Sequence, residues 1–330
     1  MKPLLYFNKR QNLKNLEERS LVLSIEKCLK IEDVEYSKNE FLDYDFVHFI
    51  GLSKIKNIEE TKEAKLPTLI SVFYCENNSK SATVTYHNDL MRLKGKAKKA
   101  LKNVDLITVP GEEAKNYLLK KKITTPIMVW SQPIDIGSFN NKNSIIDKAF
   151  FRYFTEREDA KYVLSIGDYD NSVEMKNLLD IASLCKDVKF YFFGANYHRG
   201  SSKYIKEAKG NIVFSDLVEP DIYRSALINA QILLVLDPNK VEATNVLEAM
   251  AAKTQIISFI KNKNLSFLVD GENCYFVQGS FNAAHKITDY LAGQLKSTTI
   301  NAYKYVNQFS LEKSAKTLKG IYSLLFKEKN

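Results

Sequence analysis

The sequence predicts an α/β chain of two doubly wound parallel sheets. Three observations predict it. Short unbroken apolar runs, several ending at a glycine, alternate with stretches whose apolar residues recur at helical spacing. The runs are apolar on both faces, as strands covered by helices on two sides must be. The length, 330 residues, exceeds what one core usually fills, so the alternation should build two domains.

In the first half, PLLYF, DFVHFIG, PTLISVFY and DLITVP read as strands, while LEERSLVLSIEKCLK, NDLMRLKGKAKKALKNV and EEAKNYLLKKK read as helices. Polar and turn-forming residues cluster from Ser131 to Ser144, which places a linker there and gives domains 1–140 and 141–309. In the second half KYVLSIGD is a strand ending at Gly167 and Asp168, and SVEMKNLLDIASLC is the helix after it. VKFYFFGA is a strand closing on Gly194, followed by a polar loop, YIKEAKG and NIVFSDL. EPDIYRSALINA is helical, QILLVLD a strand, NVLEAMAAK a helix and TQIISFI a strand. The last segment, 310–330, is an amphipathic helix capped by Ser310, with Lys313 where a capping box would want Glu, and is expected to pack back on the first domain.

Composition narrows the function. Hydrophobic content of 45% with 26% charged residues is that of a soluble globular protein. Cys28, Cys75, Cys185 and Cys274 are scattered without a Cys-x-x-Cys pair and read as reduced thiols, not a zinc site. The longest apolar run, Ile232 to Leu236, falls far short of the roughly 20 residues that span a bilayer, so the chain reads as cytoplasmic. A net charge of +9 favours an anionic partner: nucleic acid, a membrane surface or a phosphorylated small molecule. No RNP, KH, zinc-finger or helix-turn-helix signature is present, which argues against nucleic acid.

In a doubly wound sheet, ligands sit beyond the carboxyl ends of the strands. The loop from QILLVLD into NVLEAMAAK lies on that face. Amides in the first turn of the following helix carry partial positive charge and can hold a phosphate or diphosphate. Thr244 and Asn245 are candidate caps of this helix, and Glu242 and Glu248 flank its start. A carboxylate only accepts hydrogen bonds and so suits sugar hydroxyls. The competing reading is that acidic residues near a helix N-terminus stabilise its dipole with no ligand at all.

The compound pattern LEAMAAK, TQIISF and DGENCYFV resembles the nucleotide-sugar site of GT-B fold retaining glycosyltransferases of family 4. VLSIGDYDNSVEMKNLLDIA and NIVFSDLVEPDIYRSALINAQILLVLDP resemble the same family's preceding elements. The resemblance is specific in the C-terminal half, weak before Val104, and greatest to bacterial enzymes that add a second sugar to glucosyl-diacylglycerol. It implies two Rossmann-like domains facing a central cleft and a retaining hexosyltransferase using a nucleotide diphosphate sugar such as UDP-glucose, with no obligatory metal or other cofactor.

Residue by residue, it assigns Glu248 to the ribose, Lys176 to the departing diphosphate, and the amides near Thr244 and Asn245 to the donor phosphate or sugar. The family's first glutamate falls on Lys240, with Glu242 nearby to contact a hexose hydroxyl. Its usual arginine is Asp168, and its glycine-rich first loop is replaced by YFNKRQNL with Lys9 and Arg10. Gly167 and Gly194 would permit close backbone approach, or serve only as turn residues. These departures favour an alternative, a catalytically degenerate GT-B protein acting as a binding subunit; a nucleotide-sugar epimerase of the same fold is more distant.

The histidines carry no specific pattern. His48 is expected at a strand's carboxyl end, facing the cleft or satisfied in the core; His87 and His198 are expected in polar loops and His285 in a helix. For the acceptor, MRLKGKAKKALKNV sets Leu90, Leu93, Ala97, Ala100, Leu101 and Val104 in one stripe among Arg92, Lys94, Lys96, Lys98, Lys99 and Lys102. Such a helix suits an anionic membrane surface, peripheral to the inner face of the cell membrane, where a glycolipid or other envelope glycan would be met. Alternatively the stripe packs on the first sheet and the lysines face water.

Overall fold

A computed structural model of the chain describes residues 1–7, 16–51, 55–72, 96–131, 133–195, 197–208, 210–237, 243–259 and 265–327. The chain divides into two compact units, Met1–Pro133 with Phe309–Asn330, and Ile134–Gln308.

The first unit holds a parallel sheet of β1 (Pro3–Tyr6), β2 (Phe46–Ile50), β3 (Thr68–Ser71), β4 (Leu106–Val109) and β5 (Ile127–Val129), in that order. Ser37 pairs with the other edge of β1, its carbonyl accepting from Leu5 N at 2.8 Å and its N–H donating to Pro3 O at 2.9 Å. The chain therefore leaves β1 to one side through α1 (Leu16–Ile31) and returns to the other. Right-handed crossovers then place α1 on one face and α2 (Ile55–Glu63), α3 (Lys96–Asn103) and α4 (Glu112–Lys120) on the opposite one.

Side chains alternate to match. Leu5, Phe46, Ile50, Leu69 and Leu106 pack toward α1 and α13 (Leu311–Lys327), while Leu4, Val47, Phe49, Ile70 and Ile107 pack with Ile58, Leu101 and Leu118. Ser310 caps α13 by accepting from Lys313 N at 3.4 Å. The helix lies on α1, and its Ser314 carbonyl accepts from Trp130 Nε1 at 3.0 Å.

The second unit's parallel sheet contains β6 (Tyr162–Asp168), β7 (Lys189–Ala195), β8 (Ile212–Ser215), β9 (Ile232–Val235), β10 (Gln255–Phe259) and β11 (Tyr275–Val277). Its order is β11-β10-β9-β6-β7-β8. One face packs with α7 (Ser172–Leu184), α8 (Tyr197–Glu207) and α11 (Gly279–Leu291). The other carries an aromatic cluster. Phe150, from α6 (Ala149–Tyr153), stacks on Tyr162 at 4.4 Å and meets Tyr191 edge-on at 4.8 Å. Each such fully buried ring contributes about 1.5–3 kcal/mol.

On the same side α6 packs on α9 (Pro220–Asn229), and α9 on α10 (Ala243–Ala251), which also meets α12 (Thr299–Val306). The expected linker contains a docked helix, α5 (Ile136–Asn140), because Asp135 caps it from Ser138 N at 3.2 Å and Ile136 is buried. The boundary accordingly falls after Pro133, before the residue 140 expected from polar composition. Among the described residues, no helix is long and apolar enough to cross a membrane.

Candidate functional site

The order of the second sheet reverses between β6 and β9, so the loops leaving these two strands turn to opposite faces and open a crevice at their carboxyl ends. Asn171 spans it. Its side-chain oxygen caps α7, accepting from Val173 N at 3.2 Å and Glu174 N at 3.5 Å, and its side-chain amide donates to Asp237 Oδ2 at 2.9 Å. Glu174, three residues on, reaches back to accept from Asp168 N at 3.0 Å, a variant of the capping box. The β6–α7 corner is thus closed by its own polar groups and tied to the end of β9.

The two glycines serve this corner. Gly167 and Gly194 are partners across β6 and β7. A methyl group on Gly167 would stand 2.5 Å from Glu174 Oε2, and one on Gly194 would stand 2.6 Å from the Tyr169 ring. Tyr169 is buried and its hydroxyl donates to Ser215 O at 2.9 Å, which bolts the corner to β8. The space that the sequence reading offered to a ligand is filled by Glu174 and Tyr169.

α10 is described from Ala243, and Thr244 and Asn245 are already helical, so they are not its caps; Glu242 and Lys240 lie outside the described residues. First-turn amides have no acceptor within their own helix. Asn245 and Glu248 stand three residues apart, on one helix face. Tyr223, on α9, joins them: its hydroxyl donates to Glu248 Oε2 at 2.9 Å and contacts Asn245 Oδ1 at 3.3 Å. Sequence reasoning missed Tyr223, because nothing in EPDIYRSALINA marks a residue whose partner is twenty-five positions away.

The downstream DGENC segment is a self-bonded turn. Gly271 takes φ +72°, its N–H donates to Cys274 O at 2.9 Å, Asn273 Oδ1 accepts from Val269 N at 2.8 Å, and Asp270 Oδ1 accepts from Phe276 N at 2.7 Å. Its glycine is favoured by that left-handed conformation.

Lys176 is exposed in the second turn of α7 and lines a groove of about 620 Å³ between α7 and α8, with Asn177, Asp180, Lys203, Tyr204 and Glu207. None of Thr244, Asn245 and Glu248 lines that groove.

His48 is not at a strand end. It sits mid-β2, wholly buried, with Nδ1 2.8 Å from the Tyr322 hydroxyl of α13 and Nε2 2.7 Å from Ser71 Oγ, which lies 2.6 Å from Thr108 Oγ1. Burial pushes its imidazole down to about 3, so it is neutral, one ring nitrogen donating and the other accepting. His198 lies in α8, not in a loop, and His285 in α11; His87 is outside the described residues.

The basic stripe is also revised. Arg92 and Lys94 lie outside the described residues, and α3 is described from Lys96. Ala100, Leu101 and Val104 are buried against the first sheet, so this part of the apolar stripe belongs to the core; Leu90 and Leu93 lie outside the described residues. Lys98 is half-buried; Lys99 and Lys102 are exposed, and Lys99 pairs with Glu59 at 2.7 Å.

Comparison with known proteins adds to this geometry. No family model matches the chain. A processive diacylglycerol alpha-glucosyltransferase of Acholeplasma laidlawii is 22% identical over all of both chains. A glycosyltransferase from Rickettsia africae superposes with TM-score 0.70 at 15% identity, over 99% of this chain and 98% of its own. The Anabaena protein Alr3699/HepE, solved with UDP, gives 0.69 at 11% identity over 98% and 99%. Sucrose-phosphate synthase from Thermosynechococcus elongatus gives 0.65 at 16% identity over 98% of this chain and 81% of its own.

Proposed function

We propose that the chain, which has the fold of GT-B glycosyltransferases, is itself one and moves a hexose from a UDP-sugar to a glycolipid or other cell-envelope acceptor at a membrane surface, with retention at the anomeric carbon. The observation that carries this reading is the place of α10. Its first turn follows β9, one of the two strands between which the sheet order reverses, where a doubly wound sheet binds nucleotides.

The first-turn amides of α10, around Thr244 and Asn245, hold donor phosphate or sugar. Glu248 accepts from the ribose hydroxyls and Glu242 from a hexose hydroxyl. Lys176 sets positive charge against the departing diphosphate. These last two roles rest on the sequence resemblance. In the reaction the bond from the anomeric carbon to the diphosphate oxygen breaks, the acceptor oxygen bonds on the same face, and its proton leaves with the diphosphate. No metal is assigned a step.

The acceptor is read from two facts together. The curated relative is named for diacylglycerol, and this chain carries a net charge of +9 with exposed lysines on α3. With Ala100, Leu101 and Val104 buried, contact of α3 with an anionic membrane runs through its lysines, and high salt should weaken it.

The test is transfer from radiolabelled UDP-glucose to vesicles holding diacylglycerol or glucosyl-diacylglycerol, with and without anionic lipid, with and without chelator. Labelled glycolipid of α configuration is expected, with chelator making no difference. UDP binding without transfer from any donor would instead support the binding-subunit role that Asp168, standing where the family has arginine, favours.

A further inference from the structure

We infer that Tyr223 is a positioning residue for the donor site, holding Glu248 in the orientation that receives the ribose. The inference rests on the assignment of Glu248 to the ribose made above.

Glu248 is a flexible side chain on a helix face, and an unanchored carboxylate would lose rotamer freedom on binding a nucleotide. The Tyr223 hydroxyl removes that freedom beforehand. A phenol has one proton, and the shorter contact, 2.9 Å to Glu248 Oε2, takes it. Asn245 Oδ1, 3.3 Å away, is a weaker competing acceptor for the same proton and is not held by it. A carboxylate offers about four acceptor positions, so the bond to Tyr223 does not exhaust Glu248.

The phenol is itself held in place. It projects from α9, whose Ser225 Oγ donates to Asp147 O at 2.7 Å and accepts from Phe150 N at 3.0 Å. On the next stretch of the same helix, the Leu227 carbonyl accepts from Thr254 Oγ1 at 2.6 Å. Ala226 and Leu227 are fully buried. Tyr223 therefore transmits the position of a fixed helix to the Glu248 carboxylate.

The experiment is a cycle of two proteins and two nucleotides. Tyr223→Phe keeps the ring and removes the hydroxyl; UDP offers both ribose hydroxyls and 2′,3′-dideoxy-UDP offers none. Calorimetry should show Tyr223→Phe binding UDP about tenfold more weakly than wild type, the size expected for one hydrogen bond to a charged group. It should bind the dideoxy nucleotide equally well, with an unchanged unfolding midpoint. In transfer assays KM for the UDP-sugar should rise while kcat holds.

Equal losses for both nucleotides, or a lowered unfolding midpoint, would make Tyr223 a structural residue and overturn the inference. So would wild-type UDP affinity in Tyr223→Phe. Glu248→Gln separates this failure from that of the site assignment: if it too binds UDP and the dideoxy nucleotide with the wild-type preference, Glu248 does not receive the ribose and both readings fall.

Discussion

The two sheets share an architecture and differ in where they keep their polar groups. In the first unit a row of them lies inside: His48, Ser71 and Thr108 run across the face of β2, β3 and β4 and are sealed by Tyr322. In the second unit the strand middles are apolar or aromatic apart from Ser165 on β6, and polar residues gather at and past the strand ends at Asp168, Asn171, Glu174 and Asp237. Polar residues under a helix can satisfy only one another, so they fix a core. Those at strand ends can trade a protein partner for a ligand. The second arrangement is the one that suits binding.

Acid tests the sealed row with the largest expected effect. Folded His48 titrates near 3 against 6.5 for a free imidazole, so the unfolded chain binds its proton first. Stability from this group is intact above about pH 6.5 and falls as pH drops toward 3, by roughly 5 kcal/mol over the whole window. Denaturant unfolding at pH 7, 5.5 and 4 should show this slope in wild type and lose it in His48→Gln. Parallel slopes for the two proteins would place the histidine's titration outside the folding equilibrium.

Next comes the closed corner of the second unit. Gly194→Ala drives a methyl group into the Tyr169 and Phe192 rings, neither of which can swing aside, and should cost about 3 kcal/mol in urea unfolding. A near-neutral result would mean that the corner has slack and that its glycines remain candidates for ligand approach. The smallest effect is expected at the crevice. Asn171→Ala removes the cap of α7 and the tie to Asp237, at a cost of about 1–2 kcal/mol. It should also weaken UDP binding while Thr108→Val, inside the sealed row, leaves UDP binding unchanged.

Much of the fold was legible because strands buried on both faces leave continuous apolar runs, as in VLSI, FYFF and ILLVL. Short elements were not. β5 has three residues, too few for any period, and α5 hid in a polar stretch whose Asp135 and Ile136 make a cap and a core contact. Thr244 and Asn245 are good caps in isolation, yet both lie within α10. The roles of Gly167 and Gly194 were unreadable, since the groups that fill the space beside them, Glu174 and Tyr169, are brought there only by the turn between β6 and α7. His48 was ambiguous for a related reason: its partner Tyr322 is 274 positions away.

That distance has a consequence for how the protein is made. Trp130, His48 and Phe46 wait for Ser314, Tyr322 and Phe326, all of which are synthesised after the whole of the second unit. On the ribosome the second unit, which is continuous in the chain, can mature before the first is closed. A stop codon placed after Gln308 should leave an intact second unit attached to a first one with an open hydrophobic face, susceptible to protease and bound by chaperones.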